Sequence, residues 1–436
     1  MKHLFAITIT LLLASTVAQA QDTTIATPRR AHHPSALGNN ADYSTHLLYD
    51  QPVTSRELIQ GCRHLTLDID ASGFFYDAEY ATRMAKGYTV SGFRLSPALA
   101  YGINERAQLR IGFNATAFAG LDSLYRLRPT LSLVYAPTRW LTLVAGTIYG
   151  SHTHRLDAPV YDPSRWIFNY QEDGLQILTK TKLWNSDTWL DWQHYLTPWT
   201  PDQERFTMGT NHTISLLRFV KSDSSHSFAK PIAGPCIIER YTKDRIWAVD
   251  IPAHFIASHR GGELKTIDTN TVTTFNEKIG LRLSFMRGRN MRHSRSWTLD
   301  LPVYFYHLED NTLDHGGKAF YPTLSFDYRN YAHSLGIGWS ARAAVGYWHG
   351  DHYFSAHGSP AFWSANAYSA QHIPQSTSLA STSDIRNLLT FSAAYEHEFE
   401  GLNLGLQADI CYDLDLRKTD LFVGFYMRFK ERFLLF

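Results

Sequence analysis

From Leu402 to Leu416 the residues sort by parity into two kinds. Leu402, Leu404, Leu406, Ala408, Ile410, Tyr412, Leu414 and Leu416 fall on one face, and Asn403, Gly405, Gln407, Asp409, Cys411, Asp413 and Asp415 on the other. Successive side chains of a strand point to opposite faces, so a period of two dictates an extended chain, whereas a helix would mix the two sets. The run outlasts the ~9 to 11 residues that a tilted strand needs to cross a bilayer.

The pattern recurs. Leu109, Ile111 and Phe113 oppose Gln108, Arg110, Asn114 and Thr116, and similar alternation runs over 65–71, 297–305 and 335–347. A soluble sandwich would use shorter strands of about 5 to 6 residues. Aromatic residues make up 14% of the chain, with 24 Tyr, 25 Phe and 11 Trp, while mean hydropathy is only −0.26. Strands that show lipid one face and water the other give that combination. No long uncharged apolar stretch follows residue 20, which argues against a helical membrane protein.

Reading strands between turn signals gives 63–80, 88–101, 106–118, 127–135, 140–150, 174–184, 188–197, 205–219, 245–256, 273–285, 296–307, 319–328, 332–347, 385–399, 402–416 and 420–436. The expected fold is all-β, a transmembrane antiparallel up-and-down barrel of about 16 strands, or fourteen if one hairpin is misread. Connections after even strands are mostly tight, among them 102–105, 136–139, 185–187, 329–331 and 400–401; the long ones, 151–173, 257–272, 308–318 and 348–384, follow odd strands. Tight turns on the periplasmic side and long loops outside fit that sorting. The connections at 220–244 and 286–295 are too long for it.

Residues 1–20 read as a secretory signal: Lys2 and His3, an apolar run Leu4 to Ala14, and the small-x-small ending Ala18-Gln19-Ala20. The organisation is then a signal at 1–20, an N-terminal periplasmic segment or plug at 21–62, and the barrel at 63–436. Export and alternation together place the mature chain in the outer membrane, among its lipids and lipopolysaccharide. The final strand, closing on Phe436, is the expected handle for the barrel-assembly machinery. Yet Leu421, Val423, Phe425, Met427 and Phe429 lie on the opposite parity from Phe436, which calls for a bulge near Lys430 and Glu431 or an early end to the strand.

Four groups of segments resemble uncharacterised, porin-like outer-membrane barrels of Bacteroidota-type bacteria. They are Gly92-Phe93-Arg94-Leu95-Ser96-Pro97; His154-Arg155-Leu156 with Pro159-Val160-Tyr161-Asp162-Pro163; Glu172-Asp173-Gly174-Leu175-Gln176; and His259-Arg260-Gly261-Gly262-Glu263. The resemblance implies location and fold and carries over no functional residue.

Parity points Arg94, Arg110, Arg128, Lys180 and Lys182 into the lumen on one sector, and Asp68, Asp70, Glu396, Glu398, Asp409, Asp413 and Asp415 on another. Opposed charged walls focus potential and steer charged solutes. The expected function is therefore a porin-like passage for a small polar or charged solute. A salt-bridged plug made by the same charges is the alternative, with a surface-binding or secretion-accessory role.

Aromatic residues in the loops, Tyr161, Trp166 and Tyr170 in one and Trp348 and Trp363 in the other, can stack on a ligand or pack the barrel mouth. His152, His154 and Asp157, with His349, Asp351, His352 and His357, are the candidates for rim catalysis or a metal. No ordered catalytic signature accompanies them, so the expectation is no enzyme and no cofactor. A net charge of +1, from 41 basic and 40 acidic residues, gives no reason to expect nucleic-acid binding. A homo-oligomer is compatible with the sequence. Cys62 and Cys236 both fall on the periplasmic side and are expected to pair, leaving Cys411 in mid-strand.

Overall fold

The computed structural model describes residues 64–81, 87–138, 140–150, 153–160, 165–181, 183–195, 203–228, 238–261, 272–290, 293–310, 314–332, 335–350, 385–399 and 402–435. The signal, the segment 21–62, Cys62, Cys236, Lys182, Tyr161, Trp363, Phe436, His152, Asp351, His352 and His357 lie outside them, as do the side chains of Trp166 and Trp348.

The strands in chain order are β1 (Leu65–Tyr80), β2 (Tyr88–Asn104), β3 (Ala107–Phe118), β4 (Arg126–Tyr135), β5 (Leu141–Thr147), β6 (Asp173–Lys180), β7 (Trp184–His194), β8 (Glu204–Phe228) and β9 (Ile238–Gly261). They continue with β10 (Val272–Asn290), β11 (His293–Asp310), β12 (Asp314–Phe320), β13 (Thr323–Ala332), β14 (Leu335–Gly350), β15 (Ile385–Phe399), β16 (Leu402–Asp413) and β17 (Lys418–Leu434). Every neighbour pair is antiparallel, and β1 pairs with β2 on one side and β17 on the other, which closes the sheet. Closure removes both edges, the condition for a sheet in lipid.

β12 and β13 both lie between β11 and β14, so they are two halves of one strand. The break falls at Tyr321 and Pro322, where proline has no N–H to give the ladder. The barrel thus has sixteen positions, one for each strand read from the sequence.

The two awkward connections resolve as strand. β8 and β9 stay paired out to Phe228 and Ile238, far beyond the reach of their other neighbours β7 and β10. β10 and β11 pair out to Asn290 and His293. β17 keeps one register against β1 and β16 from Lys418 to Leu434, so neither a bulge nor an early end occurs.

The parity argument for the walls is visible in β16. Leu406 and Ile410 are exposed on the outer face, while Gln407, Asp409, Cys411 and Asp413 are buried inside. Near the tight-turn end the outer wall carries a cross-strand aromatic row. Trp247 packs at a tilt against Phe285 with ring centres 4.2 Å apart, Trp297 against Phe326 at 4.4 Å, and Phe326 against Trp339 at 4.8 Å. Aromatic girdles of this kind mark a membrane interface.

The chain between β5 and β6 turns inward. Gly146 and Gly174 are paired across the two strands where it leaves and returns. Gly146 has φ +89°, and a Cβ there would sit 2.1 Å from the Leu131 carbonyl; at Gly174 it would sit 2.0 Å from that of Leu190. Only glycine fits so close an approach. The segment between them carries a short helix, α1 (Arg165–Phe168).

Candidate functional site

The described residues of 148–172 cross the lumen and touch the wall on opposite sides. Near its middle Asp157 accepts hydrogen bonds from Lys278 of β10 and, at 2.7 Å, from Tyr304 of β11. Lys278 also meets Asp300 at 3.1 Å, and Asp300 holds Arg282 at 2.6 Å. Burial would raise the Asp157 carboxyl, but Lys278, His254 and Arg282 outweigh it and bring it down to about 2. The anchor is therefore ionic over the whole physiological range.

At the other end Tyr170 reaches the seam where the first and last strands meet. Its hydroxyl lies 3.4 Å from Asp70 and accepts from Arg428 at 3.2 Å, while Arg428 binds Asp70 through Nε at 2.9 Å. The Arg94 guanidinium stacks 3.6 Å over the Tyr170 ring. Burial, helped by Asp70, pushes the Tyr170 hydroxyl up, so it stays protonated and able to donate. Between these anchors Ile167 and Phe168 pack on Phe74, Phe118 and Tyr426.

His154 holds the segment to its own side of the barrel. Its Nδ1 is 2.8 Å from Asp187, its Nε2 is 2.9 Å from Glu172, and its ring stacks on Trp189 at 3.7 Å and 8°. Gln176 donates to the second oxygen of Asp187 at 2.9 Å, and Asn211 donates to the carbonyls of His154 and Arg155. Burial alone would lower the pKa of His154, but attraction to Asp187 and Glu172 outweighs it and brings the value up to about 9. Both ring nitrogens are committed to carboxylates, so this imidazolium is a clamp and cannot accept a proton. A cavity of about 30 Å³, room for a water or two, lies beside it, lined in part by Thr153, Lys180, Asn185 and Thr213.

Of the charges assigned to the lumen from the sequence, Asp68 and Arg110 pair with each other, and most of the rest are held by other residues of nearby strands. Asp68 binds Arg110 at 3.3 Å and Arg432 at 2.6 Å. Arg128 pairs with Asp173 and donates to the Gln171 carbonyl at 3.1 Å. Glu396 accepts from Tyr426 at 3.3 Å, Asp409 from Gln407 at 2.5 Å, and Glu398 is half-buried on β15. Asp413 caps the turn after β16 by accepting from the Asp415 and Leu416 amides, and Asp415 lies in that turn, not in a strand, accepting from the Asn387 amide. Lys180 is exposed at the tight-turn end. Of the rim candidates, His154 and Asp157 belong to the crossing segment 148–172, and His349 is exposed at the loop end of β14.

Several residues of these networks escaped the sequence reading. Lys278, Arg282, Asp300, Arg428 and Arg432 sit at inward parity, but parity does not say which partner a long side chain chooses. Glu172 and Gln176 stand in the segments that carry the family resemblance, and only the fold shows that they serve His154. Among the described residues no group of three or more His, Cys, Asp or Glu side chains is arranged to hold a metal ion.

On the outer wall another row stands out near the loop end. Trp192, Phe206, His259 and Thr273 are successive register partners on β7, β8, β9 and β10. His259 Nδ1 and Thr273 Oγ1 are 3.0 Å apart, and Phe206 lies against the His259 ring at 5.3 Å and against Trp192 at 5.7 Å.

Residues 58–436 match the model of a family described as lipid A 3'-O-deacylase-type. Among curated proteins none matches the sequence. Solved structures similar to the chain include OmpT of Vibrio cholerae (9% identity, TM-score 0.42, 85% of this chain and 99% of that one) and an anion-selective porin from Comamonas acidovorans (8%, 0.42, 84% and 99%). OprD from Pseudomonas aeruginosa is another (8%, 0.38, 88% and 98%). The chain is an outer-membrane β-barrel. The sequence-based expectation of no enzyme is overturned, because the family whose model spans the barrel is named for a hydrolytic activity.

Proposed function

Because this chain belongs to the lipid A 3'-O-deacylase-type family, we propose that it is an ester hydrolase of the outer leaflet, which removes an ester-linked acyl chain from lipid A. The match that carries this reading runs over residues 58–436, the crossing segment included. Water and the ester give a fatty acid and a sugar hydroxyl.

The lumen supports a scaffold more than a conduit. The described residues of 148–172 touch both the β1–β17 seam and β10 and β11, and several of the charges that would steer solutes are taken up in ion pairs within the wall or with this segment. A lipid substrate never enters an aqueous lumen; its acyl chains stay in the bilayer, and the barrel brings its wall to them.

The test is mass spectrometry of lipid A after incubation with the refolded protein in vesicles. The expected result is loss of one hydroxyacyl or acyl mass with release of the matching fatty acid. Intact lipid A in the presence of folded, heat-modifiable protein would refute the reading. Steady single-channel conductance from that same preparation would return solute passage to first place.

A further inference from the structure

We propose that the barrel wall is notched in its outer-leaflet half between β4 and β7, and that this notch seats the acylated sugar of an outer-leaflet glycolipid. The assignment deepens the acyl-ester reading given above and takes the lipid's chemistry from it.

The notch follows from strand length. A strand needs ~9 to 11 residues to cross a bilayer at the usual tilt, and β5 and β6 have 7 and 8. Ser132, Gly146, Gly174 and Asp191 are successive partners across β4, β5, β6 and β7. Beyond that row, toward the loop end, β5 and β6 add only Thr147 and Asp173 before the chain turns inward. Their neighbours go on, β4 through 126–131 and β7 through 192–194, each still paired on its far side with β3 or β8. At ~3.3 Å per residue and a tilt of ~40°, those extensions rise about 15 Å and about 8 Å. Three strand spacings separate β4 from β7, so the gap is about 14 Å wide, broader than a single acyl chain.

The β4 edge is built to stand without a ladder. The Pro129 carbonyl accepts from Gln171 Nε2 at 2.8 Å, and the Leu131 N–H donates to Thr147 Oγ1 at 3.3 Å. The N–H and C=O of one strand residue point the same way, so the nitrogen of Pro129, which carries no hydrogen, also faces the gap. Proline belongs on such an edge. Two side chains and a missing donor thus replace the partner strand, the cover that an edge at membrane depth requires.

Inner and outer positions meet at the notch. Arg128 shares the inward parity of buried Ser132, whereas Asp173 shares that of exposed Leu175 and Ile177. They form an ion pair all the same, with 30% and 33% of their side chains exposed. An unbroken wall would hold them on opposite faces. Thr147 Oγ1 donates to Asp173 at 2.7 Å, and Gln171 Nε2 donates to the same oxygen at 3.1 Å. Gln171 is 9% exposed, yet its Oε1 has no hydrogen-bond partner among the described residues.

The lips around this polar cluster, Leu127, Leu131, Leu175 and Trp192, are exposed apolar side chains continuous with the lipid-facing wall. Acyl chains therefore stay in the bilayer against the lips, and the sugar that carries them reaches the groups behind. Sugar hydroxyls both donate and accept, which suits a cluster holding the Arg128 guanidinium beside the Asp173 carboxylate and Gln171 Oε1; a phosphate would use donors alone.

The test is photolabelling of the refolded protein in phosphatidylglycerol vesicles that contain lipid A with a diazirine beside one acyl ester. Adducts are located by peptide mass spectrometry, and the heat-dependent shift in gel mobility reports folding. Adducts are expected on Leu131, Arg128 and Gln171 in about tenfold excess over Phe305, which is exposed on the outer wall of β11, a preference of about 1.4 kcal/mol. Phosphatidylglycerol carrying the same diazirine lacks the sugar and is expected to mark Leu131 but not Gln171. Leu131→Trp, a larger side chain at an exposed lip, is expected to lose most of the Arg128 and Gln171 adducts and to keep those on Phe305. Labelling spread evenly around the outer wall, or equal labelling of Gln171 by the two lipids, would overturn the site. Lipid A masses from the same sample judge the hydrolase separately: intact lipid A with notch-centred labelling would remove the hydrolase and keep the site, and hydrolysis with even labelling would do the reverse.

Discussion

Titrating His154 should loosen the crossing segment, and the structure says by how much. Its pKa is about 9 in the fold against an ordinary value of 6.5. Because the folded value is raised, the clamp contributes fully below pH 6.5, and the contribution fades as pH rises through 9. With ~1.4 kcal/mol for each tenfold change in proton affinity, the difference corresponds to roughly 3 kcal/mol between those limits. The side chain is fully buried, so solvent screening does not reduce it appreciably. The assay is hydrogen exchange of amides 153–157 followed by mass spectrometry from pH 6 to 10, corrected for the intrinsic base-catalysed rate. Protection is expected to hold to about pH 6.5 and then to drop by about two orders of magnitude. His154→Gln keeps a side-chain hydrogen bond but cannot be charged, so its protection should be lower and independent of pH. A flat wild-type profile, or the same slope in His154→Gln, would refute the clamp.

Asp157→Asn removes the anion that Lys278 and Tyr304 share and should cost about 3 to 5 kcal/mol of docking, read as a lower midpoint for exchange of the same segment. With the wild-type carboxyl held at about 2, that contribution is present above its ordinary 3.8 and lost only as pH falls through 2, so docking at this anchor should persist in mild acid. Gly209→Ala would set a Cβ 2.4 Å from the Trp189 indole, which is itself fixed by stacking on His154, and should cost about 1 to 3 kcal/mol, measured as an earlier loss of the heat-resistant gel form.

Much of the barrel was legible because its determinant is local. In a strand that faces lipid on one side and a polar interior on the other, each side chain reports its own face, and sixteen such runs appear one by one along the sequence. The longer misfit connection went unread for the converse reason: over 219–228 and 238–243 the two strands have only each other as neighbours, and alternation weakens where neither face is imposed by lipid. The break at Pro322 was also hidden, since one proline inside an alternating run does not say whether the strand ends or resumes.

The site was less legible because it depends on pairing between distant strands. Arg94 and Asp70 are both inward by parity, yet only closure reveals that Arg428, more than 300 residues from Asp70 in sequence, takes the carboxylate while Arg94 turns to the Tyr170 ring. His154 looked like a rim base because nothing local shows that Glu172 and Asp187 come to its two nitrogens. His259 stood in a segment that carried the family resemblance, but its partner arrives from the next strand, across a loop.

The crossing segment also has a consequence for the order of assembly. Its far anchor needs Asp70 of the first membrane strand and Arg428 of the last to be side by side, so Tyr170 has no finished docking site while the barrel is still an open sheet. The segment must therefore wait, unseated, until the last strand has been synthesised, exported and zipped against the first. Seating it is a late event, and it braces from within the one seam where the two ends of the chain meet.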